Sequence, residues 1–184
     1  IPGVKMCFFV GKDGPDYTED GLRLMGFCSS SHPPIALEET DHAAIYFSSG
    51  TTGFPKAILH NHRALVHACL VEQNHHSQSR EDVFLCIPPL YHTGAKMHWF
   101  GSLLSGSKAV LLRGVKPEWI LRAVTEEKCT IVWLLVPWAQ DLLDAIDAGR
   151  VDLSQYRLDQ WRLMHIGAQP VPPSLIARGK AIFP

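Results

Sequence analysis

Apolar positions in this chain fall into short continuous runs, and between the runs they recur at helical spacing. Residues 83–87, 108–112, 129–136 and 161–166 have the length and the β-branched or aromatic content of strands. The 129–136 run is unbroken, as expected of a strand covered on both faces. Helical stripes fill the gaps at 95–104, closed by Gly106-Ser107, from Pro117 through Glu127, and at 140–148, closed by Gly149. Pro117 suits a first helical position, with Trp119, Ile120, Ala123 and Val124 as the stripe behind it, and Pro172-Pro173 opens a last helix. Strand and helix in alternation predict an α/β fold: a mainly parallel sheet with flanking helices and right-handed crossovers.

The first half is less regular. Residues 4–10 read as a buried strand closed by a turn at 11–15, and residues 15–39 show little periodicity, with 28–34 as a surface connection. Residues 41–47 form a strand. Residues 61–73 follow with amphipathic helical spacing, their inner face carrying Leu65, Ala68, Cys69 and Val66.

Between that strand and that helix lies the stretch richest in chemistry, Ser48-Ser-Gly-Thr-Thr-Gly-Phe-Pro-Lys56. Gly50 and Gly53 can take positive φ, which turns successive backbone N–H groups inward into an anion-accepting nest. Ser48, Ser49, Thr51 and Thr52 add hydroxyls for phosphate oxygens or a magnesium ion, and Lys56 adds the loop's one formal charge. A Walker A loop is excluded, because Phe54 and Pro55 separate Gly53 from the lysine and Ala57 stands where Ser or Thr belongs. The following helix would point its N-terminus at the same anion.

The loop closely resembles the signature [ST]-S-G-T-T-G-x-P-K-G of the adenylate-forming superfamily, which includes acyl-CoA synthetases, luciferases and peptide-synthetase adenylation domains. The match runs from Ser48 to Lys56 and departs at Ala57. Pro89-Leu-Tyr-His-Thr-Gly94 is similar to the family's P-L-[FY]-H-x-x-G segment, with the glycine one position early, and Gly167-Ala-Gln-Pro170 is similar to its G-[GA]-x-P segment. Asn61-His62 matches the pair that often opens the helix after the loop.

The resemblance implies ATP, Mg²⁺ and coenzyme A as the small molecules used, with a carboxylate as acyl substrate. It makes Lys56 and His92 the catalytic candidates, Thr51 the magnesium contact, and Gly167, Ala168, Gln169 and Pro170 the border of the adenine and acyl group. Met97, Trp99 and Phe100 are candidate acyl-pocket residues, although such a stripe is more often core. All three loops are expected at the carboxyl ends of strands, where open α/β sheets bind ligands.

Composition narrows the partners. Seventeen basic against eighteen acidic residues give a net charge of −1, which offers no field for nucleic acid, and no apolar run reaches the length of a membrane span. The five cysteines, odd in number and widely spaced, are read as buried free thiols of a cytoplasmic protein. Histidines 60, 62, 67, 75 and 76 raise a metal reading, but the 60/62 and 75/76 pairs are judged to lack carboxylate or cysteine partners at ligand spacing. A homo-oligomer is compatible with the sequence.

The family's Y-G-x-T-E segment, its ribose-binding aspartate and its small C-terminal domain with a distal lysine have no counterpart here. Residues 1–184 are therefore expected to be an internal fragment of one AMP-binding N-terminal domain, inactive alone. The acceptor thiol is left open between coenzyme A and a carrier protein. A luciferase-like enzyme and a non-catalytic nucleotide-binding module remain as alternatives.

Overall fold

A computed structural model describes residues 3–48, 53–87 and 89–183. They form two compact units, residues 1–37 and 38–184. The first contains strands β1 (Phe8–Phe9) and β2 (Glu19–Asp20), paired in parallel, and helix α1 (Gly21–Met25), capped by the Asp20 carboxylate accepting from the Leu22 and Arg23 amides. The apolar run at 4–10 is not a buried strand. Only two of its residues join a ladder, and Val4, Met6, Phe8 and Val10 are all exposed, because a ladder this short brings no layer against their side chains.

The second unit opens with an antiparallel hairpin of β3 (His42–Ser48) and β4 (Lys56–Asn61), followed by α2 (His62–His76). Asn61 caps α2 by accepting from the Ala64 amide. Then come β5 (Val83–Cys86), α3 (Thr93–Ser105), β6 (Lys108–Leu111), α4 (Pro117–Glu127), β7 (Ile131–Leu135), α5 (Val136–Asp147), β8 (Leu163–Gly167) and α6 (Pro173–Ile182). Helix α5 starts four residues before the expected 140, since Pro137 at its first turn fits a helix start and cannot extend a strand.

Strands β5 to β8 form a wholly parallel sheet in the order β6-β5-β7-β8. The chain moves from β5 to β6 in one direction and then returns past β5 to reach β7. Right-handed crossovers therefore send α3 to one face and α4 and α5 to the other. Side chains confirm this: Leu85, Val132 and Leu134 pack with Ile120, Leu121 and Val124 of α4 and Leu142 and Leu143 of α5 in the large core. Phe84, Cys86, Ile131 and Trp133, pointing the opposite way, form a smaller cluster against Trp99 of α3. Cys69, Cys86 and Cys129 are buried free thiols, the last two pushed up to about 12 chiefly by burial, whereas Cys28 is exposed and Cys7 half-buried.

At the amino ends of the strands, Asp82 ties three of them together. Its carboxylate accepts from Arg162 Nε and an Arg162 terminal nitrogen at 2.8 Å each, from Thr130 Oγ1 at 2.7 Å and from the Ser79 amide at 2.8 Å. Burial opposes the charge, but these donors outweigh it and hold the carboxyl well below its ordinary range. Its contribution is thus complete at neutral pH and is lost as pH falls below about 4. Asp82→Asn is expected to cost about 2–3 kcal/mol, below the full cost of breaking a buried pair because Arg162 is 40% exposed. Urea denaturation at pH 7 measures it, and the difference from the parent chain should shrink in acid.

Candidate functional site

The carboxyl ends of β5 and β7 are the switch point of the sheet, where neighbouring strands lead to helices on opposite faces. A cavity of about 550 Å³ opens there. Pro89, His92, Thr93 and Gly94 line it from the segment after β5, Trp133, Leu135 and Trp138 from β7 and α5, and His165 and Ala168 from β8 and its exit, while Met97 and His98 add the next turn of α3.

His92 is the residue before α3. Its backbone is extended and its carbonyl starts the helix by accepting from the Lys96 amide at 3.2 Å, yet its side chain makes no capping bond and is exposed. The imidazole is free to serve a ligand. Gly94 is required by contact: a methyl group there would lie 2.7 Å from Trp133 Cη2, so only glycine lets α3 seat on the tryptophan. Ala168 has φ +66, a left-handed conformation that costs a residue with a Cβ roughly 1–2 kcal/mol. That strain lies on the cavity wall, in keeping with its frequent occurrence at ligand sites.

Beneath the mouth sits a cluster of imidazoles from three elements. His98 is 4% exposed, stacked on Phe84 at a centroid distance of 4.8 Å and tilted against Trp133 at 5.0 Å. His76 Nε2 and His165 Nδ1 are 2.8 Å apart, and His76 Nδ1, also buried, has no partner among the described residues. Burial, then the neighbouring imidazoles, pushes His98 down to about 3 and His76 to about 4, and burial lowers His165 too. All three are neutral at pH 7.

Of the residues singled out in the sequence, His92, Met97 and Ala168 line this one cavity; Gly167, Gln169 and Pro170 adjoin Ala168 without lining it. Trp99 and Phe100 stack on each other at 5.1 Å and also fall outside it. The phosphate-type loop belongs elsewhere. Its described ends, Ser48 and Lys56, pair across the β3–β4 hairpin, a sheet separate from the parallel one, so the stretch does not follow a strand of the main sheet as expected. Strand β4, about 20 Å long, also stands between the loop and the start of α2, which removes that helix end as a partner for the loop's anion. Gly53 has the expected positive φ of +86 with open space around it, and Ser48 and Lys56 face each other across the hairpin. Ser49, Gly50, Thr51 and Thr52 lie outside the described residues.

His98, Trp133, Trp138 and His165 were not anticipated. Their signals are present: Gly94, Met97 and His98 share a helix face at i, i+3 and i+4, and Trp133 is opposite His165 in the ladder. The unbroken apolar run hid which side of β7 faced which layer. Glu72 precedes His76 by one helical turn, so a carboxylate does stand at ligand spacing from that histidine, contrary to the sequence reading.

A family model described as "AMP-binding enzyme" matches residues 9–184. Triostin synthetase I of Streptomyces triostinicus is 33% identical across 100% of this chain and 33% of its own length. The medium-chain fatty-acid–CoA ligase of Escherichia coli is 29% identical, over 85% of this chain and 28% of that protein. The chain thus spans a third or less of the length of these relatives. Among solved structures, the N-terminal domain of FACL13 from Mycobacterium tuberculosis superposes with a TM-score of 0.77 at 19% identity, over 87% of this chain and 39% of that one, a likeness of fold. Among the described residues no helix is long and apolar enough to cross a membrane.

Two measurements probe the site. Gly94→Ala should cost about 1–3 kcal/mol by overpacking and alter tryptophan fluorescence, both read in one denaturation series. Because folding disfavours protonated His98, stability should fall as pH drops from about 6.5 toward 4. His98→Phe should flatten part of that slope in urea denaturation at pH 7, 5 and 4.

Proposed function

The chain belongs to the AMP-binding enzyme family, and we propose that it is a segment of the large N-terminal domain of an ATP-dependent acid–thiol ligase. A carboxylate oxygen attacks the α-phosphorus of ATP, the bond to the bridging oxygen breaks, and pyrophosphate leaves. The thiol sulfur of coenzyme A then attacks the acyl carbonyl, and AMP departs. Both steps depend mainly on alignment and on stabilising displaced negative charge.

In this reading Ser48, Ser49, Gly50, Thr51, Thr52, Gly53 and Lys56 hold the β- and γ-phosphates, with Thr51 the contact for Mg²⁺, which neutralises phosphate charge when bound. His92 stands between the carboxylate and the adenylate as a hydrogen-bond donor. Gly167, Ala168, Gln169 and Pro170 border the adenine and the acyl group, and the Met97, Trp133 and Trp138 side of the cavity receives the acyl chain. The observation that carries the reading is the meeting of His92 and Ala168, from two separate sequence motifs, in one cavity at the switch point.

A second reading, an amino-acid adenylation domain serving a carrier protein, is favoured by the full-chain match to triostin synthetase I. Pyrophosphate release by the full-length protein, with fatty, aryl and amino acids in turn and with or without coenzyme A, separates the two. A CoA thioester supports the ligase; amino-acid-dependent release with no CoA thioester supports the alternative. Lys56→Ala should lower kcat/KM for adenylation by about 100-fold or more and His92→Ala by about 10-fold or more. An unchanged rate in Lys56→Ala removes the phosphate role assigned to the loop.

A further inference from the structure

We propose that Glu72, His76 and His165 form a binding site for one divalent transition-metal ion of the zinc type, joining the end of α2 to β8. One ligand atom from each of the three residues lies within 4.8 Å of the others. His76 Nε2 is 2.8 Å from His165 Nδ1 and 3.8 Å from Glu72 Oε2. A tetrahedral ion with metal–nitrogen bonds of about 2.1 Å separates its donors by roughly 3.4 Å, so the two imidazoles need to open by about half an ångström, and the Glu72 carboxylate, within 4.8 Å of both, needs to close by up to roughly 1.4 Å through rotation of its side chain.

The frame around the donors is braced. Arg162, three residues before His165, donates to the His76 and Ser77 carbonyls at 3.0 and 3.1 Å while paired with Asp82, which fixes the last turn of α2 against the start of β8. The buried Gln73 amide donates to the Gly101 carbonyl and anchors the same turn to α3. Glu72 and His76 share a helix face at i and i+4, and His165 arrives from a strand 89 residues later.

Two imidazoles and a carboxylate suit zinc, cobalt or nickel over magnesium or calcium, which favour all-oxygen shells. Glu72 and His165 line both the switch-point cavity and a second one of about 640 Å³, so a water or a small anion can reach a fourth position. His76 Nδ1 has no acceptor among the described residues, and metal-bound imidazoles usually have one. The expected affinity is therefore micromolar, weaker than that of a fully supported zinc site.

The test is titration of the chelator-treated protein with Zn²⁺ by calorimetry and with Co²⁺ by visible absorption, independent of any ligase assay. One ion per chain, a tetrahedral cobalt band and a rise in Tm with zinc are expected. His76→Gln and His165→Asn should each weaken binding at least tenfold and abolish the band, Glu72→Gln should weaken it less, and His75→Gln, at an exposed neighbour, should leave it unchanged. No binding by the parent protein, or equal binding by both imidazole variants, overturns the proposal. Should those variants fail to fold, X-ray absorption of the zinc-loaded parent decides: two imidazoles and one carboxylate support the site, and a shell without imidazole sinks it.

Discussion

The reversal of strand order at β5 is the constraint on which the rest of the second unit depends. A right-handed crossover lets the direction of travel choose the face that a helix covers. One return past β5 therefore gives the sheet two unlike sides and leaves a cavity at the carboxyl ends of β5 and β7, where the chain departs to opposite faces. Leu, Ile and Val fill the side under α4 and α5, and it works as the stabilising core. The other side carries few apolar side chains and admits His76, His98, Gln73 and Ser102 into buried positions. Polar groups persist in the interior there because the α2–α3 layer gives most of them partners.

The hairpin adds a second constraint. Its loop carries the lysine, whereas His92 and the 167–170 segment sit on the parallel sheet, so chemistry shared by them needs the two sheets held in fixed relation. Helix α2 provides one tie, since it follows β4 directly and packs against α3. Another is the Lys96 ammonium over the Tyr46 ring at 5.1 Å, which joins α3 to β3.

Much of this was legible in the residues. Apolar runs marked all four strands of the parallel sheet, Pro117, Gly106 and Asn61 marked helix ends, and motif order brought His92 and Ala168 to one edge. The hairpin was hidden because strand pairing is set by partners, and the run after the lysine reads equally well as the approach to a helix. Residues 4–10 misled because apolar content alone does not supply a covering layer. His98 and His165 escaped because a lone histidine on an apolar face gives no local sign of its neighbours. Three of them in contact are visible only after β7 and β8 are in register.

The Asp82–Arg162 pair also bears on how cooperatively this edge of the sheet forms. The carboxylate is made 80 residues before the guanidinium that neutralises it, and of the four strands of the parallel sheet β8 comes last in the chain. Without Arg162, Asp82 is an acidic group at the amino end of β5 with Ser79 and Thr130 as its side-chain donors among the described residues, and burying it in that state is unfavourable. Closing this edge of the sheet is therefore coupled to the presence of β8, so the ends of β5, β7 and β8 form together or not at all.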